Sequence, residues 1–259
     1  MLKNSFARAF NGTKNNTTGE YTTDITGTDI AINNESTLYV NGGYIHSDNR
    51  AISGSYNRLT VNEVENINLD DDNQVASTKI SAVEDHAIYS YWSNMPINGG
   101  TITSENTTAV LGHHRITVNG GSITGKRGVK SEEWCTYGGC TYEPIIITGG
   151  TIIGTQYEGV YSSGTKSYEL TVTGGYILGQ TDGIYSRSHA TIGTKGETLS
   201  TESPEIRGVE GYGFNNDNGE LLFYDGILKG KRKTGFDNAS HNGMIRTVED
   251  ATMVKRDIS

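Results

Sequence analysis

One phrase recurs along this chain and constrains its fold more than any other feature. It reads LYVNGGYIHS (38–47), MPINGGTITS (95–104), ITVNGGSITG (116–125), IIITGGTIIG (145–154), LTVTGGYILG (170–179) and LLFYDGILKG (221–230). A shorter phrase follows it, as AISG (51–54), AIYS (87–90), GVYS (159–162), GIYS (183–186), GFNN (213–216) and GFDN (235–238). One phrase of each kind makes a unit of about 21 to 36 residues, a period that belongs to repeat architectures. Apolar residues alternate within a unit, as at Leu170 and Val172, and again at Ile177 beyond the glycine pair. Period two means a strand with one buried face, and the Gly-Gly pair supplies a corner where positive φ is accessible.

A unit this small cannot bury its apolar face alone. Stacking the next unit about 4.8 Å away in the hydrogen-bonding direction makes parallel ladders around a continuous core. The expected fold is therefore an all-β, right-handed parallel β-helix, a solenoid of about eight coils with short terminal caps. The expected single domain spans 1–259, with 1–23 a cap or frayed segment, 24–240 the coils and 241–259 a closing cap. A leucine-rich repeat has a similar period, but no unit shows its L-x-x-L-x-L-x-x-N pattern. A propeller blade needs four strands, more than a unit provides.

Composition agrees, with 34% hydrophobic residues, 34 glycines and only 3 prolines. That mixture disfavours helices and suits short strands joined by tight turns. The net charge of -9 argues against nucleic acid, which needs a basic stripe. The basic KGKRKTG (229–235) reads as a solvated turn. No run is long and apolar enough to expect membrane insertion. Residues 1–16 lack the apolar stretch of a secretory leader, so the chain is either cytoplasmic or, if a secreted or surface protein, a fragment or processed form. Cys135 and Cys140, in WCTYGGCTY, have the spacing of a disulfide-closed hairpin; free thiols remain open, and metal ligation would need further ligands.

Long insertions fall at NLDDDNQVAST (68–78) and GTKGETLSTESP (193–204). The run Asp70, Asp71, Asp72 offers oxygen ligands for calcium, but consecutive aspartates splay apart, and a solvated loop is the simpler reading. GGSITGKR (120–127) imitates a phosphate-binding loop, yet Arg127 stands where Ser or Thr should bind magnesium. No cofactor is expected.

Aligning the units on Ile52, Ile88, Val110, Val129, Val160, Ile184, Phe214 and Phe236 yields candidate sites. One residue on, Tyr161 and Tyr185 should stack on the outside of a sheet, with Tyr89 in the same column. Two residues before, Glu158 and Asp182 should neighbour each other at the corner. Paired carboxylates beside tyrosines are what a retaining glycosidase requires, and also what a solvated corner looks like. Arg187 and His189 are near in sequence. An ice-binding threonine array is not sustained, since Thr101 and Thr103 give way to Thr151 and Ile153, then Tyr176 and Leu178.

The wording TIG…LSTESPEIRG…GYGFNN…GELLFYDGILKGK, with the TGGTI and GIYS units before it, resembles the repetitive β-helical surface proteins of Firmicutes and related gut bacteria. The resemblance covers about residues 24 to 240. It implies a secreted or wall-displayed right-handed β-helix within a larger chain. The expected function is a non-catalytic surface or adhesion module with a glycan or cell-surface partner. The alternative is a polysaccharide lyase or glycoside hydrolase on the same scaffold. A monomer is expected, or a homotrimer if the chain belongs to a phage fibre.

Overall fold

The structure, a computed structural model, describes residues 2–4, 8–10, 13–14, 24–54, 57–63, 74–75, 77–136, 139–141, 144–163, 169–194, 203–217, 219–231, 236–237 and 244–246. Among them every regular element is a strand. Three parallel sheets of ten, nine and ten strands carry the fold. Sheet I runs from Leu2–Asn4 to Phe236–Asp237, sheet II from Asp24–Gly27 to Ile227–Gly230, and sheet III from Arg8–Phe10 to Met244–Arg246. The chain visits sheets II, I and III in turn, making a right-handed parallel β-helix of about eight coils with triangular section.

The phrase at 170–192 shows how sequence becomes coil. Glu169–Val172 lies in sheet III, the glycine pair turns the corner, Tyr176–Gly179 enters sheet II, Ile184–Ser186 enters sheet I, and His189–Ile192 returns to sheet III. The longer phrase thus contributes two strands and the shorter one a third. At the III-to-II corner the second glycine of each pair has positive φ, from 83° at Gly121 and Gly150 to 88° at Gly100 and Gly175, a conformation that disfavours any side chain.

Register places like on like. In sheet I, Ile32, Ile52, Ile88, Val110, Val129, Val160, Ile184, Phe214 and Phe236 form one continuous column. Ile102, Ile123, Ile152, Ile177 and Ile206 do the same in sheet II. Sheet III contributes two columns, Ile116, Ile145 and Leu170 in one and Val118, Ile147 and Val172 in the other. These side chains are at most 1% exposed where their burial is described. Each such residue contributes roughly 1.5–3 kcal/mol of apolar transfer. A small residue precedes the inward residue of sheet I because the core leaves no room there. A Cβ on Gly183 would stand 2.6 Å from the Gly213 carbonyl oxygen and 2.8 Å from Ile206 Cγ2.

A polar ladder runs along the III-to-II corner. Asn62 Nδ2 donates to Asn41 Oδ1, Asn98 to Asn62 and Asn119 to Asn98, each at 2.7 Å, and Thr148 Oγ1 donates to Asn119 Oδ1 at 2.8 Å. Asn62, Asn98 and Asn119 therefore each both donate and accept along this stretch of the corner.

An antiparallel pair, Trp134–Thr136 with Gly139–Thr141, branches from the corner after sheet I and sets Cys135 opposite Cys140 in register. The cysteine side chains lie outside the described residues, as do Asp70, Asp71 and Asp72.

Candidate functional site

The outer face of sheet I carries the expected tyrosines. Parallel pairing sets Tyr89, Leu111, Lys130, Tyr161, Tyr185 and Asn215 side by side in consecutive coils. Tyr161 and Tyr185 stack with centroids 5.1 Å apart and planes 9° from parallel. On Tyr161 the Arg127 guanidinium lies 4.9 Å from the ring centroid and Lys130 Nζ 5.5 Å away. The Tyr161 ring thus meets cations as well as the Tyr185 ring. The Tyr185 hydroxyl is pushed above its ordinary acidity range by burial and then by its hydrogen bond to Asp217.

Glu158 and Asp182 occupy the neighbouring corner but turn opposite ways along the stack. Glu158 Oε2 accepts from Arg127 Nε at 2.7 Å, in the coil before. Asp182 Oδ1 accepts from the Tyr212 amide at 2.7 Å and Oδ2 from Asn215 Nδ2 at 2.9 Å, both in the coil after. A retaining glycosidase needs both carboxyl groups aimed at one glycosidic bond. Here each is engaged by its own structural partner. Arg187 turns to Asp217 at 3.2 Å, and His189 Nδ1 accepts the Glu220 amide at 3.0 Å.

Tyr89 stands apart from the tyrosine pair, with Leu111 and Lys130 between, and belongs to a second cluster. Its ring lies 5.8 Å from His86 at 12°, 4.9 Å from Tyr91 edge-on, and 4.2 Å beneath the Arg50 guanidinium. Its hydroxyl is 3.3 Å from His113 Nε2, and Tyr91 stacks on His113 at 5.1 Å. Asp85 joins Arg50 to His86, whose Nδ1 donates to the Thr108 carbonyl at 2.8 Å. Burial pulls the His86 pKa below its ordinary 6.5, against the weaker upward pull of the Thr108 carbonyl and Asp85. The Tyr89 hydroxyl is pushed up by burial and then by Tyr91.

Sequence reading passed over Arg50, Asp85, Tyr91, Trp92, His113 and His114 as site residues. A signal was there: Tyr91-Trp92 follows the sheet I strand Ile88–Ser90, and His113-His114 follows the next sheet I strand, Thr108–Gly112, at the same offset. Trp92 and His114 meet accordingly at 5.1 Å.

Two small depressions lie among the described residues. Thr181, Asp182, Glu210, Gly211, Tyr212 and Asn215 line a depression of about 190 Å³. Glu169, His189, Thr191, Glu220 and Leu222 help line one of about 180 Å³ on sheet III. Both fall short of the roughly 300 Å³ from which small-molecule pockets begin. Among the described residues no three His, Cys, Asp or Glu side chains converge as metal ligands would, and no helix is long and apolar enough to cross a membrane. Set against protein-family models, curated proteins and solved structures, the chain matches none of them.

Proposed function

We propose that this chain is a non-catalytic β-helix module of a bacterial cell surface that holds an extended, hydroxyl-rich polymer, a glycan, along the outer face of sheet I. The observation that carries this reading is the Tyr161–Tyr185 stack with Arg127 and Lys130 against it. Side chains already held by one another lose little rotamer freedom on binding, so their hydroxyl and N–H groups are organised before a ligand arrives. The Tyr161 ring is taken up by the stack and the cations, so the polymer is engaged through hydrogen bonds at the ring edges. The depression of about 190 Å³ beside Asp182 is too small for a typical small-molecule pocket, which suits a chain lying along the rod better than a small molecule in a cavity. Surface display rests on the sequence resemblance.

Incubation with a panel of polysaccharides tests both halves of the reading. Retention of a polymer without new reducing ends or unsaturated products is expected. Release of either product would overturn the non-catalytic assignment, and Glu158→Gln and Asp182→Asn would then identify the acid groups. Retention undiminished in Tyr161→Ala and Tyr185→Ala would move the binding face away from sheet I.

A further inference from the structure

We propose that the polymer held on sheet I is uncharged. This rests on the binding reading above and adds the charge class of the ligand.

Among the described residues, four cations of this face are matched by carboxylates. Arg50 pairs with Asp85, Arg127 with Glu158 at 2.7 Å, Lys130 with Glu132, and Arg187 with Asp217 at 3.2 Å. Asp182 adds a further carboxylate, held by an amide and an asparagine with no cation among its hydrogen-bond partners. These groups together are balanced to slightly negative, on a chain of net charge -9. A uronate or sulfated polymer would need cations able to turn toward it. A carboxylate or sulfate that reached the remaining N–H groups of Arg127 would stand beside the carboxylate of Glu158, whose side chain is only 15% exposed, and the two like charges would repel.

A neutral polysaccharide meets no such obstacle. The Arg127 bond to Glu158 uses Nε, and a guanidinium has further N–H donors. Carboxylate oxygens accept more than one hydrogen bond, so the pairs can donate and accept toward sugar hydroxyls while staying intact. Successive coils repeat about every 4.8 Å, close to the advance of one pyranose in an extended chain. Neighbouring coils therefore face neighbouring sugars.

Affinity electrophoresis of the whole chain through gels containing β-glucan, mannan or xylan, and in parallel polygalacturonate, alginate or chondroitin sulfate, tests the proposal. Retardation by at least one neutral polymer and by none of the anionic ones is expected. The retardation should change by less than about twofold between low salt and ~0.5 M, where exposed charges are screened. Glu158→Gln, which leaves Arg127 without its carboxylate, should gain salt-sensitive retardation by polygalacturonate. Glu132→Gln is the second variant, at a more exposed pair. Stronger retardation of the wild-type chain by anionic polymers would overturn the charge assignment and leave the glycan reading standing. Failure of every polymer would sink both. No gain in either variant would show that neutralisation by these carboxylates does not set the selectivity.

Discussion

On the inner face of sheet I, Ile88 is flanked by Ile52 and Val110, and Ile184 by Val160 and Phe214, all without solvent exposure. One residue further on, on the outer face, Tyr89 is followed by Leu111, Lys130, Tyr161 and Tyr185. The two columns share a backbone and a register, so the difference lies in what each face demands. Inside, every coil meets the same neighbours above and below, and one class of side chain satisfies the packing throughout. Outside, water is an acceptable neighbour, and the residues are free to vary with the partners they acquire.

Adjacent substitutions put that contrast to its strongest test. Ile184→Ala opens a cavity between coils that already fit, and should lower stability by about 2–5 kcal/mol. Tyr185→Ala removes one ring of a stacked pair at the surface and should cost roughly 0.5–1.5 kcal/mol. Urea denaturation followed by circular dichroism reads both. Equal losses would mean that the outer column carries as much of the fold as the inner one, and the division of labour between the faces would fall.

The same contrast explains what could be read in advance. The inward column of sheet I follows from the sequence residue by residue, because burial admits few residue types and period two fixes the face. The Tyr161–Tyr185 stack follows from that alignment as well. The directions of Glu158 and Asp182 do not, because spacing places two carboxylates at one corner without saying which coil each turns toward. The choice is made by Arg127 on one side and Tyr212 and Asn215 on the other. The asparagine ladder was visible as the repeated Asn before Gly-Gly in three phrases, yet Asn is also an ordinary turn residue. Only the stacking of corners shows that these amides bond to one another.

That ladder sharpens the comparison, since it is an outer feature that repeats as an inner one does. Asn98 donates to Asn62 and accepts from Asn119. Asn98→Ala interrupts the run at an exposed site and should cost about 1 kcal/mol, near the net worth of one hydrogen bond. Asn98→Thr should recover part of that, because Thr148 already serves at the same corner by donating from Oγ1 to Asn119. A thermal melt that ranks threonine no better than alanine would show that the glycine corner, and not the side-chain ladder, sets the geometry there.

The smallest expected effect concerns pH, and it separates the two clusters of the outer face. His86 is held below its ordinary 6.5, first by burial, while Asp85, Arg50, Tyr89 and Glu132 surround it. The folded chain therefore favours the neutral ring, and the unfolded chain binds more protons just below pH 6.5. Stability from this site is fully present above that value and is lost as pH falls through the folded pKa. Tyr185 works at the other end of the scale. Its raised pKa makes its contribution complete below its ordinary 10.0 and lost as pH rises through the folded value. Melting temperature should accordingly sag on the acid side in the wild-type chain and less in His86→Gln, which retains an amide able to donate to the Thr108 carbonyl. It should sag on the alkaline side less in Tyr185→Phe. An acid limb unchanged by His86→Gln would remove the histidine cluster from the account.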